Sequence, residues 1–230
     1  MAEFFLELFS EEIPAGLQKN LRESLLEKFQ EYFSKKSIKS KKSFSLSTPN
    51  RLIIVFEGLD KELKTSSKEI KGPKIGAPDQ ALEGFVRSNK IEKKDLFEKK
   101  TEKGNFYFFK SKSKIFKTQD LLSENIPKLL DGHKWKKSMK WGEFDLSWGR
   151  PLKSILSVFD KKTINFSFHQ ITSCNSTYID SNLEDRKKTF TDFKSYQKYF
   201  KNQGVIVDQN KRKEFINKEF SKILNKKNQT

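Results

Sequence analysis

The first 34 residues combine two apolar patterns of different period, and together they restrict the folds open to this chain. Residues 3–9, Glu-Phe-Phe-Leu-Glu-Leu-Phe, predict a β-strand. Pro14 fits the first turn of a helix, where its missing N–H costs nothing. An amphipathic helix to about residue 34 is then predicted, because apolar side chains recur every four residues: Leu17, Leu21, Leu25, Phe29 and Phe33.

The rest of the chain mixes the same two patterns without strict βαβ alternation. Residues 34–43 and 60–80 are rich in Lys and Ser, the second stretch also in Gly and Pro, and predict loops. Strands are predicted at 51–56, 105–110, 163–168 and 205–207, and helices at 80–88, 118–131, 190–202 and from 208 onward. This order favours the α+β class, with mixed sheets and packed amphipathic helices.

The charge of the chain suggests a polyanionic partner. Its 230 residues carry 47 Lys and Arg against 30 Asp and Glu, a net charge of +17. Only six of the basic residues are Arg, and the excess of Lys, Phe, Ile and Asn resembles the product of an A+T-rich coding sequence. The charge therefore opens a nucleic-acid hypothesis without establishing it.

Several functional classes are excluded or disfavoured by composition. Cys174 is the one cysteine, which rules out an internal disulfide, and with two His it also rules out a Cys/His metal cluster. No apolar run approaches the roughly 20 residues that span a bilayer, and the N-terminus lacks the basic start of a signal peptide. We expect a cytoplasmic protein. Cys174 and His169 lack an orienting third group, so no self-sufficient catalytic site is predicted.

A basic and aromatic segment at 133–142 is the first candidate binding site. Ammonium groups neutralise phosphates, and aromatic faces stack on unpaired bases. The alternative is a core Trp/Met pair flanked by solvated lysines. The lysines of this segment alternate with Trp135 and Trp141. The candidate RNA contacts are Lys134, Lys136, Lys137 and Lys140.

Two arginines complete the candidate set. Arg150 precedes Pro151, which favours an extended backbone, and its planar guanidinium suits a phosphate or a carboxylate. The alternative is a structural ion pair. Arg51 ends the segment Thr48-Pro49-Asn50-Arg51, whose alternative interpretation is simply a turn into a strand.

Taken in order, these segments resemble the beta subunit of bacterial glycyl-tRNA synthetase. That family opens with a hydrophobic stretch and a Glu-Glu-Ile/Leu-Pro-Ala element, followed by an amphipathic helix. Its other elements are Thr-Pro-Arg-Arg-Leu, Lys-Gly-Pro, Ala-x-Gly-Phe-Ala/Val-Arg, Lys-x-Met-Arg-Trp-Gly and an Arg-Pro pair. The matching segments here are 11–15, 48–52, 71–73, the Gly-Phe-Val-Arg at 84–87 with its preceding Ala81, 137–142 and 150–151.

Three departures from the family pattern stand out. Asn50 and Lys140 replace family arginines, and the family's Thr-Arg-Gly-His-Arg-Phe element is absent after Asn175-Ser176-Thr177. That absence disfavours a hydrolytic, editing-type role. Family chains are also much longer, so this chain is expected to be a fragment, a truncated reading frame or a split subunit. We expect two α+β regions, 1–145 and 146–230, the second incomplete relative to the family.

The resemblance implies a part in attaching glycine to tRNA-Gly. The family enzyme is an α2β2 assembly whose alpha subunit carries the adenylate site and uses ATP and Mg²⁺, so no cofactor or metal is expected on this chain. The implied partners are the alpha subunit and tRNA-Gly, with neither membrane nor DNA. The alternative is a truncated, non-catalytic module for RNA binding or assembly.

Overall fold

The computed structural model describes residues 1–227 apart from 66, 112, 134, 136 and 180–185. The chain divides into unit 1, residues 1–61 and 117–230, and unit 2, residues 62–116. The first half contains β1 Ala2–Ser10, α1 Ala15–Lys35, β2 Lys42–Thr48, β3 Arg51–Leu59, β4 Glu62–Lys64, β5 Glu69–Lys74, α2 Asp79–Asn89, β6 Leu96–Thr101, β7 Gly104–Lys110 and β8 Ile115–Lys117. The second half contains α3 Thr118–Asp131, β9 Leu152–Phe159, β10 Lys162–Thr163, β11 Ser167–Phe168, β12 Ile171–Thr172, β13 Ser176–Tyr178, β14 Lys187–Thr189, α4 Phe193–Asn202 and α5 Gln209–Lys227.

Unit 1 is built around an antiparallel sheet in the order β10-β9-β1-β3-β2. The alternating side chains of β1 serve both faces of this sheet. Phe4 packs against Phe29 of α1, with ring centroids 5.8 Å apart, while Phe5 packs against Tyr196 of α4 at 4.9 Å. Because helices cover both faces of this central strand, nearly every residue of it is buried, which explains its continuous apolar sequence.

The free edge of this sheet is closed by the start of α5. The backbone N–H of Ser47 in β2 donates to Oε1 of Gln209, and Nε2 of Gln209 donates to the carbonyl of Ser45. Arg212 adds a hydrogen bond from Nη2 to the Ser47 carbonyl. The Gln209 amide thus pairs with the edge as a neighbouring strand would, which leaves fewer unpaired edge groups.

Unit 2 contains a three-stranded antiparallel sheet, β5-β7-β6, with α2 packed on β5. The ring of Phe85 in α2 meets Phe109 of β7 edge-on, with centroids 5.7 Å apart. Gly72 in β5 permits this approach, since a Cβ there would lie 2.7 Å from the Phe85 ring. Glycine is needed at this position because a larger side chain would overlap the Phe85 ring, and not because of an unusual backbone conformation.

The structure confirms the α+β class but corrects several sequence expectations. Residues 205–207 are not a strand: Val207 is instead a buried core residue between α4 and α5. The loops expected at 34–43 and 60–80 contain the start of β2 and all of β4 and β5. The expected regions 1–145 and 146–230 stay a prediction; in the structure β9, from the second region, pairs with β1, from the first.

Candidate nucleic-acid interface

The basic and aromatic segment singled out from the sequence lies in the connection from α3 to β9. A single antiparallel bridge organises it, with reciprocal backbone hydrogen bonds of 2.8 and 3.0 Å between Met139 and Trp148. The hydroxyl of Ser147 donates to that of Ser138 beside the bridge. The part of this connection from Ser138 to Trp148 is therefore closed by backbone and side-chain hydrogen bonds.

The tryptophans of the loop contribute to its packing. Trp148 is 2 % exposed and packs against Phe168, and half-buried Trp135 lies 4.7 Å from Trp148 between ring centroids. Trp135 also covers Gly149 so closely that a Cβ there would lie 2.0 Å from the indole. Within the basic and aromatic segment itself, Trp135 and Trp141 are half-buried and Met139 is 43 % exposed. The alternative of a core Trp/Met pair therefore fails for Met139 and holds only in part for the two indoles.

The candidate lysines that the structure describes are on the surface. Lys137 and Lys140 are both exposed, and Nζ of Lys140 lies 3.4 Å from Oδ1 of Asp145. That ion pair is solvated, because the two side chains are 63 % and 98 % exposed, and such pairs contribute little to stability. Lys134 and Lys136 lie outside the described residues.

His133, at the start of the loop, is buried against both of these tryptophans. Its ring lies 5.2 Å from that of Trp135 and 6.1 Å from that of Trp148. Burial, aided by the positive charge of Lys28, lowers the pKa of His133 to about 4. The imidazole is therefore neutral at pH 7 and does not add to the positive charge of the loop.

Arg150 lies where three of the sequence motifs meet. Its Nε donates to the Glu12 carbonyl at 3.2 Å, and Nη1 donates to the carbonyl of Gly149. Backbone hydrogen bonds join the same three segments, from Glu11 to Pro151, from Ser10 to Asn50 and from Ile13 to Pro49. The half-buried guanidinium is thus a structural connector at one end of the main sheet, and only part of it is accessible to a ligand.

Arg51 is buried, so the structure does not place its guanidinium on the surface as the predicted RNA contact requires. Its side chain is 7 % exposed, and its Nε lies 2.8 Å from Oε1 of Glu7, which is fully buried. Nη2 donates to the Tyr178 carbonyl, and the rings of Phe9 and Phe200 each lie 4.6 Å from the guanidinium carbon. The turn interpretation was correct, since Arg51 begins β3.

The buried carboxylate of Glu7 also accepts a hydrogen bond from the hydroxyl of Tyr196 at 2.9 Å. Burial raises the pKa of Glu7, against the opposing effect of Arg51. Burial and the neighbouring carboxylate raise the pKa of Tyr196 well above its usual value. The cluster holds β1, β3 and α4 together and is closed to a macromolecular ligand.

Sequence reasoning assigned no binding residue to unit 2, although this unit has a net charge of +6 from 14 basic and 8 acidic residues. Its lysines stand across the sheet from phenylalanines of β7. The available signal in the sequence was the cluster of aromatic residues in the predicted strand Asn105–Lys110, in a region rich in lysine. The pairing of strands that places lysines beside those rings could not be inferred from the sequence.

Comparison with known proteins matches the chain over nearly its whole length. The family model described as "Glycyl-tRNA synthetase beta subunit" covers residues 4–230. The chain belongs to this family. The beta subunit of glycine–tRNA ligase from Rickettsia akari is 34 % identical over 228 residues, covering 99 % of this chain and 34 % of the relative. The beta subunit from Rickettsia felis is 35 % identical over 230 residues, which also covers 99 % of this chain and 34 % of the relative.

Segments that resemble elements of the glycyl-tRNA synthetase beta subunit family meet one another in this structure. The chain spans about a third of the length of the curated relatives it matches. Within that third, the Glu-Glu-Ile-Pro-Ala, Thr-Pro and Arg-Pro elements meet at one end of a sheet, while Gly72 and Phe85 meet inside unit 2. Among the described residues, no helix is both long and apolar enough to cross a lipid bilayer.

Proposed function

We propose that this chain supports the ATP-dependent attachment of glycine to tRNA-Gly as part of a synthetase beta subunit. In this role it binds tRNA and assembles with the catalytic alpha subunit in an α2β2 enzyme in the cytoplasm. The observation that carries the proposal is the family match over residues 4–230 of a chain with a net charge of +17.

The contribution to RNA binding is electrostatic. Lys137 and Lys140 project from a loop whose own aromatic residues anchor it, and both side chains are exposed to solvent. Lysines in such positions neutralise phosphates and release bound counterions, which makes affinity depend steeply on salt. Arg150, held by the Glu12 and Gly149 carbonyls, adds positive charge beside the same loop.

The chemistry of activation belongs to the alpha subunit in this proposal. That subunit binds ATP and Mg²⁺ and forms the adenylate, while the present chain helps to hold the tRNA.

The alternative function is a non-catalytic module for RNA binding or assembly. It predicts binding of tRNA without any effect on glycylation.

Co-purification and glycylation with the alpha subunit separate the two functions. The alpha subunit is expressed alone and together with the 230-residue chain, and glycylation of tRNA-Gly is measured for each preparation. The proposal predicts that the two proteins co-purify and that the chain raises the glycylation rate. If tRNA-Gly is bound while the alpha subunit is neither captured nor activated, the alternative holds.

A further inference from the structure

One face of the unit 2 sheet carries aromatic and basic side chains together. Antiparallel pairing places Phe97 of β6 and Lys71 of β5 on either side of Phe108 in β7, and Lys99 opposite Phe106. Paired residues of neighbouring strands point to the same side of a sheet, and alternate residues of one strand share a face. These five side chains therefore share one face.

The opposite face of this sheet is the one covered by helix α2. Phe109, which alternates with Phe108, contacts Phe85 of that helix. On the aromatic and basic face, Phe97 is 38 % exposed and the side chain of Lys99 is 51 % exposed. Phe108 itself is only 8 % exposed, close to the 6 % of Phe109, and Phe106 is half-buried. The accessible groups of the aromatic and basic face are therefore Phe97, part of Phe106 and the lysine ammonium groups.

The rings and cations of the exposed face are arranged in contact with one another. Phe97 and Phe108 are stacked, with an interplanar angle of 27° and centroids 6.1 Å apart. Nζ of Lys71 lies 3.4 Å from the centroid of Phe106, and Nζ of Lys99 lies 5.7 Å from that of Phe108. Lys99 also contacts Oε2 of Glu69 at 2.6 Å, a solvated pair that a stronger anion can replace.

The same face leads to a basic turn between β6 and β7. An open cavity of about 480 Å³ is lined there by Lys71, Lys100, Thr101, Glu102 and Lys103. Three lysines and one acidic residue, Glu102, line this concavity, so its lining is net basic. Phosphates spaced along a strand would meet positive charge both beside the rings and at this turn.

We propose that this face binds single-stranded RNA. Bases stack on Phe97 and on Phe106 once the ammonium group of Lys71 moves from the ring to a phosphate. Every base has a π-face and every nucleotide a phosphate, so alternating rings and lysines suit this ligand better than an acidic protein surface. The inference rests on the proposed RNA-binding function and adds a second, separate contact to it.

Fluorescence anisotropy of a labelled single-stranded RNA of about 12 nucleotides tests the proposal on the 230-residue chain. Phe97→Leu keeps an apolar side chain but removes the stacking surface, and we expect the dissociation constant to rise about tenfold. Phe116→Leu in β8 is the matched control, since Phe116 is 40 % exposed, and it should leave affinity unchanged. Circular dichroism of both variants establishes that they are folded.

Two single lysine variants, one of them a control, provide a second test that leaves every aromatic ring in place. Lys99→Gln should lower the slope of log affinity against log salt by about one, as expected for one lost phosphate contact. Lys93→Gln, in which a solvated lysine outside the sheet is neutralised, should leave the slope unchanged. Because both side chains are largely exposed, neither change threatens folding.

Three results would overturn the proposal. They are no binding of the oligonucleotide at about 50 mM salt, equal affinities of Phe97→Leu and Phe116→Leu, and loss of alpha-subunit capture in Phe97→Leu with unchanged RNA affinity. Binding of tRNA-Gly is measured in parallel. If tRNA-Gly binds while the oligonucleotide does not, this inference fails alone; if neither binds, the proposed function fails with it.

Discussion

Nε of Arg51 lies 2.8 Å from Oε1 of Glu7 in the interior of unit 1, where both side chains are buried. The pair joins β1 to β3, and the Tyr196 hydroxyl joins α4 to the same carboxylate oxygen. A buried pair of this kind need not add stability over an apolar pair, but removal of one partner leaves an uncompensated charge. The importance of Arg51 is therefore structural.

Arg51→Met should lower the free energy of unfolding by about 3–5 kcal/mol, because it leaves the Glu7 carboxylate buried without its cation. Urea denaturation followed by circular dichroism measures this loss. The double variant Glu7→Leu with Arg51→Met removes both charges and should recover a large part of it. A stable Arg51→Met protein with weakened RNA binding would contradict the structural role.

The stability contributed by His133 should fall between pH 6.5 and about 4. Burial lowers the pKa of this imidazole to about 4, so the folded state resists a proton that the unfolded chain accepts near pH 6.5. The stabilisation is complete above pH 6.5 and is lost as the pH falls, by up to about 3 kcal/mol at 1.36 kcal/mol per pKa unit.

Urea denaturation from pH 7 to pH 4, with His133→Phe as the comparison, isolates this effect. Glu7 contributes with the opposite sign, because its raised pKa favours folding at low pH and this contribution is lost as pH rises. Glu7 is present in both proteins, so its contribution cancels when the free energy of unfolding of His133→Phe is subtracted from that of the wild type at each pH. A difference that is constant over this range would contradict the buried, neutral imidazole.

Gly149→Ala should destabilise unit 1 by about 1–3 kcal/mol. A Cβ at this position would lie 2.0 Å from the Trp135 ring, so the indole must leave its place against Trp148. Gly16→Ala is the control, because a Cβ there would meet no described atom within 4 Å apart from its chain neighbours and the backbone of its own helix, and Ala favours helix α1. Thermal unfolding followed by Trp fluorescence should show a lower Tm only for the first variant.

Two phenylalanines test whether the apolar face of α5 belongs to the core. Phe200 in α4 is fully buried, whereas Phe220 in α5 is 64 % exposed. Phe200→Ala should cost about 3–5 kcal/mol of unfolding free energy, and Phe220→Ala less than about 0.5 kcal/mol. Equal losses in urea denaturation would mean that α5 packs on the body of the protein in solution.

The strongest local patterns were the ones that predicted structure correctly. The four-residue spacing ending at Phe33 predicted α1, and the apolar opening segment predicted β1, because both elements are buried by the sheet and helices they pack against. The strands β2, β5 and β6 were missed. Their lysines are exposed and their Ser and Pro interrupt the apolar pattern, while pairing with more apolar neighbours holds these edge strands.

The candidate site was harder to predict because its decisive contacts are between distant segments. Nothing near Arg51 in the sequence shows that Glu7 and Tyr196 surround it, so a buried ion pair looked like a surface cation. Lys137 and Lys140 were correctly expected to be solvated if the tryptophans packed inward. The face bearing Phe97 depends on strand register, which only the structure provides.

Filter binding of tRNA-Gly over a salt series tests the central claim most directly. We expect binding at about 50 mM salt and a steep linear fall of log affinity with log salt. The Lys137→Gln, Lys140→Gln double variant should lower that slope by about two, while the control pair Lys19→Gln, Lys39→Gln on other exposed positions leaves it unchanged. A flat salt response, or no binding at about 50 mM salt, would contradict the account.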